Sequence, residues 1–144
     1  EIDLNINLAR QYAEEAAETV PEIGEQYDRN SVVSTVRLRT INPHYCWLSL
    51  LDNTCPVGFV SGTITQAPWN DEVIWGHIEL IYVLESHRNI DAFRKLTDAF
   101  EDWAIELGAQ KITAGDIGIN PERSRALYKS IGFEEGCFLT REIE

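Results

Sequence analysis

Residues 73–84 read Val-Ile-Trp-Gly-His-Ile-Glu-Leu-Ile-Tyr-Val-Leu. This run is rich in β-branched and aromatic residues, and it predicts one long strand. A glycine inside such a strand, here Gly76, marks a bulge or a close backbone approach. A helix follows. Phe93, Leu96, Phe100, Trp103, Ala104 and Leu107 recur at steps of three and four, forming one apolar stripe. Gly108 stands in the usual C-terminal position, and Lys111 to Ala114 reads as a short strand. A strand that passes through a helix into a neighbouring strand can lie parallel to it.

Upstream, Tyr45 to Leu51 is apolar and β-prone, and Asp52, Asn53 and Thr54 form a turn. Val57 to Thr65 alternates apolar with small polar residues, and Pro68, Trp69, Asn70 and Asp71 mark a second turn. Three strands joined by short turns make an antiparallel meander. Nearer the start, Ile2, Leu4 and Ile6 alternate with Asp3 and Asn5, the pattern of a short strand. Leu8 to Thr19 is rich in helix formers and is ended by Pro21 and Gly24. A further helix is expected over Asn30 to Arg39, from an Asn-Ser cap. Downstream, Pro121 to Ser130 forms a short helix with proline in its first turn. Gly132 caps it, and Phe138 to Ile143 forms a last strand. The whole is an α+β fold with a mixed, mostly antiparallel sheet, read as one domain over residues 1–144.

Composition narrows the function. The formal net charge is −12. Nucleic-acid binding needs a Lys/Arg surface, so that class is excluded, whereas a cationic amine or a basic protein fits. A charge that serves only solubility is the simpler alternative. No stretch approaches the ~20 apolar residues of a membrane span, and no signal peptide is visible. Cys46, Cys55 and Cys137 have no metal-site spacing, which suits a reduced, cytoplasmic protein without a metal; a Cys46–Cys55 bridge across a hairpin is the minor alternative. There is no methionine, even at position 1, so further residues are expected before Glu1.

Three local patterns give this order a more specific meaning. The strand Ile78-Glu79-Leu80-Ile81-Tyr82-Val83 is followed by Arg88-Asn89-Ile90-Asp91-Ala92-Phe93 at the start of the striped helix. Asn120 then precedes a helix ending Leu127-Tyr128-Lys129-Ser130-Ile131-Gly132-Phe133. Over roughly residues 45–140 the chain resembles the GNAT superfamily of N-acetyltransferases. The resemblance makes residues 78–83 the family's fourth strand, Arg88 to Phe93 its phosphate loop, and Tyr128 with Gly132-Phe133 its closing signature. Packing alone also accounts for Leu127 and Phe133 as core residues.

The resemblance implies acetyl-CoA as cofactor, held by Ile81, Val83, Arg88, Asn89, Ile90, Asp91, Ala92, Phe93 and Asn120. It makes Glu79 the general base, with His77 two residues away on the same face of the sheet. Tyr128 becomes the acid for the leaving thiolate, and a backbone N–H near Ile81 to Val83 the oxyanion donor. A solvated Glu79 and a surface His77 are the alternative.

The loop departs from the family pattern Arg/Gln-x-x-Gly-x-Gly/Ala. Asp91 replaces the first motif glycine and Phe93 the second. A carboxylate about 5 Å from a phosphate charge costs roughly 1–3 kcal/mol in a partly solvated site. The helix stripe turns Phe93 toward the core instead. Two functions therefore compete, with a GNAT fold that binds a different acyl-CoA or another small ligand as a third option. One is acetyl transfer from acetyl-CoA to a primary amine. The other is a catalytically inactive GNAT-like structural or interaction protein, of the kind found among the internal virion proteins of tailed bacteriophages. Trp47, Trp69 and Trp75, if exposed, would suit the latter.

Overall fold

The computed structural model describes residues 2–115, 120–136 and 141. Among the described residues four strands form one sheet in chain order: β1 (Tyr45–Asp52), β2 (Cys55–Ala67), β3 (Asn70–Val83) and β4 (Lys111–Ala114). β1, β2 and β3 are antiparallel neighbours, and β4 runs parallel to β3. Helices α1 (Ile2–Ala16), α2 (Pro21–Gln26) and α3 (Arg29–Ile41) precede the sheet. Helix α4 (Ile90–Glu106) makes the crossover from β3 to β4, and α5 (Pro121–Ser130) follows. The α+β class and the parallel crossover agree with the sequence reading. The strand expected over Phe138 to Ile143 lies outside the described residues.

Each face of the sheet carries its own core. On one side Phe93, Leu96, Phe100 and Ala104 of α4 pack on Val60, Ile78, Ile81 and Val83, with Tyr128 of α5 joining them. Phe100 and Ala104 have no exposed surface. Burying one phenylalanine side chain contributes about 1.5–3 kcal/mol. Leu107, expected in the same stripe, stands at the C-cap beyond the last turn and is exposed. On the other side Leu8, Tyr12 and Ala16 of α1 cover Phe59 and Tyr82.

Gly76 resolves into a close approach rather than a bulge. A Cβ there would stand 3.0 Å from Ala104 Cβ and 3.2 Å from Phe100. A Cβ on Gly62 of β2 would collide with the His77 carbonyl and the Phe100 ring. The two glycines let α4 lie flat on the sheet.

The N-terminal reading needs correction. Residues 2–6 open a helix, not a strand. Ile6, Ala9, Ala13 and Ala16 are all buried, at steps of three and four, and that helical period outweighs the short alternation. Asn5 accepts hydrogen bonds from Ser49 Oγ (2.7 Å) and Trp47 Nε1 (3.3 Å), which fixes the helix on β1. Pro21 and Gly24 do not end α1. Pro21 starts α2 at its first position, and Gly24 lies inside α2, where a Cβ would stand 2.9 Å from Ala17 Cβ. Asp28, rather than Asn30, caps α3, its carboxylate accepting from the Ser31 N–H at 3.0 Å.

Candidate active site

The site starts from an irregularity in β3. Ser61 pairs with Leu80 and Gly62 with Ile78, so Glu79 is the extra residue of a β-bulge. The bulge shifts the alternation by one residue. Ile78, Ile81 and Val83 therefore all join the α4 core, while Leu80 and Tyr82 pack toward α1.

Below the bulge β3 is paired on both edges; above it the edges differ. The β4 ladder ends at Ala114 opposite Ile78, and the Gly115 N–H donates to the Ile78 carbonyl at 3.1 Å. On the β2 side the Leu84 N–H donates to Val57 O at 2.8 Å. Alternation then points the backbone groups of Val83 and Ile81 to the opposite edge, beyond the end of the described β4 ladder. A small cleft of about 90 Å³ opens there. Ile81, Val83, Arg88, Asn89, Phe93 and Asn120, all expected as cofactor contacts, line it. Tyr12, Tyr82, Arg123, Ser124 and Leu127 complete the wall. Ile90, Asp91 and Ala92 do not face the cleft.

The turn at Arg88 to Phe93, expected as a phosphate loop, is engaged with the protein itself. Arg88 donates to the Val83 carbonyl through Nε (3.1 Å) and Nη2 (2.8 Å), and pairs with Glu15 of α1 at 3.0 Å. Its guanidinium also lies 5.7 Å from the centre of the Tyr82 ring. Asn89 caps α4, its side chain accepting from the Ala92 N–H at 2.8 Å, and its carbonyl accepts from the Phe93 N–H at 3.2 Å. Asp91 points to solvent, 3.7 Å from Arg94. Phe93 is buried, as the stripe requires, and its ring meets that of Tyr128 edge-on at 4.9 Å.

Tyr128 packs between Phe93 and Phe133 and is 7% exposed. It stands behind the cleft wall, which Leu127, Ser124 and Arg123 form on that side. Asn120 caps α5, accepting from the Arg123 N–H at 3.1 Å, and its side chain borders the cleft.

Glu79 and His77 share the face that α1 and α3 cover, but each has its own partner. Glu79 Oε2 accepts from Arg39 of α3 at 2.9 Å, and Arg39 also donates to the buried Ser61 Oγ at 2.8 Å. His77 Nδ1 lies 2.7 Å from Thr113 Oγ1 of β4. Arg39 and Glu15 were missed from sequence. Both are charged helix residues whose partners lie 40 and 73 positions away, and no local pattern connects them.

Burial pushes the Cys46 thiol up to about 12, and burial followed by the Glu15 carboxylate raises the Tyr82 phenol to about 12. Cys46 and Cys55 are both free thiols. Trp47 is not an exposed surface residue, because its indole stacks on Phe59 at 4.2 Å. Among the described residues no group of three or more His, Cys, Asp or Glu side chains is placed to hold a metal ion, and no helix is long and apolar enough to cross a membrane.

The two parts of a CoA thioester fit this site differently. The pantetheine arm is a chain of amides and methylenes. The backbone edge at Ile81 and the apolar wall at Leu127 and Phe93 match it, whereas the Val83 carbonyl is already held by Arg88. The diphosphate requires free N–H donors or a free guanidinium at the α4 start. There Asn89 takes the Ala92 N–H, Arg88 is held by Val83 and Glu15, and the Asp91 carboxylate stands in the first turn, so a diphosphate fits that turn poorly as it stands.

A mixed sheet in which α4 crosses from β3 to a parallel β4, α5 packs beside α4 on the same face, and a cleft lies between α5 and the end of β3 is the arrangement of the GNAT acetyltransferase class. The chain belongs to that family: the family model, Acetyltransferase (GNAT) family, matches residues 7–133. No curated protein sequence matches it. Among solved structures, a probable acetyltransferase superposes with a TM-score of 0.76 at 19% identity, covering 99% of this chain and 91% of that one. A ribosomal-protein-alanine N-acetyltransferase from Brucella melitensis biovar Abortus 2308 gives 0.71 at 20% identity, covering 98% and 93%. The enzyme AAC(6')-Iy, in complex with the bisubstrate analogue CoA-S-monomethyl-acetylneamine, gives 0.71 at 16% identity, covering 83% and 82%. At these identities the likeness speaks for the fold.

Proposed function

We propose that the protein is an N-acetyltransferase that moves an acetyl group from acetyl-CoA to a primary amine. The observation that carries this reading is the β3 edge above the bulge, where Ile81 and Val83 border a cleft that α5 closes. The thioester supplies an activated acetyl group. The chain supplies the rest. A backbone N–H on that edge stands ready for an oxyanion. Glu79, at the bulge, takes the proton that an alkylammonium must lose before it can attack. The cleft holds both partners side by side, which contributes proximity. Tyr128, as the acid, would have to act through its hydroxyl from a ring buried between Phe93 and Phe133. A net charge of −12 favours a cationic acceptor.

The self-engaged α4 turn favours a second reading, in which the fold has lost its cofactor and serves as a structural or interaction protein. Thiol release from acetyl-CoA, measured against a panel of primary amines, separates the two. The first reading expects amine-dependent release that falls at least about tenfold in Glu79→Gln. No release with any amine, together with no acetyl-CoA binding, would establish the second.

A further inference from the structure

Within the reading of the cleft as a thioester-donor site, we infer that this protein recognises its donor by the pantetheine arm and not by the nucleotide diphosphate. Acetyl-pantetheine thioesters without adenosine are then donors as good as acetyl-CoA.

A helix start attracts a diphosphate through three things: unsatisfied N–H groups, the positive end of the dipole, and a nearby cation. In α4 the chain itself works against each, although the Ile90 and Asp91 N–H groups have no acceptor inside the helix. Asn89 Oδ1 accepts from the Ala92 N–H at 2.8 Å and takes that first-turn donor. The Asp91 carboxylate, in the first turn, is the anion the dipole favours. Arg88 is turned back onto the Val83 carbonyl and Glu15. A diphosphate would have to displace the cap and the ion pair, and would then meet the Asp91 charge. The arm meets fewer of these obstacles. Arg88 and Asn89 line its cleft and Arg88 holds the Val83 carbonyl, but the Ile81 edge and the apolar wall at Leu127 carry no competing charge.

Adenosine takes no part in the transfer. The thioester C–S bond breaks, a C–N bond to the amine forms, and one amine proton ends on the pantetheine sulfur. Omitting the nucleotide leaves that balance unchanged.

The test is calorimetric titration of the whole protein with acetyl-CoA and with acetylpantetheine at one salt concentration. The expected result is two dissociation constants within about fivefold of each other. In the double variant Asn89→Gly/Asp91→Gly, which opens the turn, the affinity ratio should move toward acetyl-CoA by about tenfold or more. An unchanged ratio in that variant would overturn the inference. So would wild-type protein that prefers acetyl-CoA by more than about fivefold and loses the preference in Arg123→Ala. That outcome would place the diphosphate on α5 and leave the donor site standing. If neither compound binds at millimolar concentration, the donor reading itself fails, and this inference with it.

Discussion

Arg39 of α3 donates to Glu79 Oε2 at 2.9 Å, at the single-residue bulge where β3 parts from its regular ladder. With 16% and 33% of their side-chain surface exposed, the pair is sheltered but not dry. The guanidinium also reaches Ser61 Oγ and lies 5.0 Å from the Tyr45 ring centre. One side chain thus ties α3 to β1, β2 and β3.

Removing that tie should be felt in stability. Arg39→Ala leaves Glu79 and the buried Ser61 without their partner. It is expected to lower unfolding free energy by about 1–3 kcal/mol. Arg39→Lys should recover part of the loss, since lysine lacks the two-pronged geometry. Urea denaturation of the three proteins checks this, and equal midpoints would mean that the contact contributes nothing.

The close packing of α4 rests on the absence of a side chain at Gly76. Gly76→Val puts its branched carbons against Ala104 and Phe100, which have no exposed surface. Overpacking of this kind typically costs about 1–3 kcal/mol. The thermal midpoint should drop by several degrees, and Phe100→Leu in the same chain should restore part of it. A midpoint unchanged in the single variant would show that the helix can move away freely.

High pH should weaken the fold in a defined window. Cys46 and Tyr82 are each raised to about 12 by burial, from ordinary values of 9.0 and 10.0. A raised folded-state value means that the neutral form is favoured in the native protein. Its contribution is complete below the unfolded value and is lost as pH climbs toward the folded one. Stability should therefore fall between about pH 9 and 12, and Cys46→Ala should remove the lower part of that slope. In a Cys137→Ser background, Cys55 should react with iodoacetamide at pH 8 while Cys46 reacts only on unfolding. Equal labelling of both would contradict the buried placement.

The sequence made the β3–α4–β4 crossover legible because its signals are strong and local. The apolar run over 73–84, the helical stripe from Phe93 and the stop at Gly108 all agree. The turn at Asp52 to Thr54 and the helix from Pro121 to Ser130 were readable for the same reason. The N-terminus misled because Ile2, Leu4 and Ile6 alternate over too few residues to outweigh the helical period that follows. The bulge at Glu79 left no trace, since it depends on how β2 and β3 register. The fate of Arg88 was also hidden. Its loop position suggested a phosphate, but the Val83 carbonyl and Glu15 that hold it come together only in three dimensions.

A backbone amide titration by NMR with acetyl-CoA tests the central claim most directly. If the cleft between the β3 edge and α5 holds the thioester, the Ile81, Val83, Asn120 and Leu127 amides should shift together and saturate. Trp69, on the distant β2–β3 turn, should stay still. No saturable shift at those four amides up to millimolar acetyl-CoA, or shifts confined to the surface around Trp69, would contradict it.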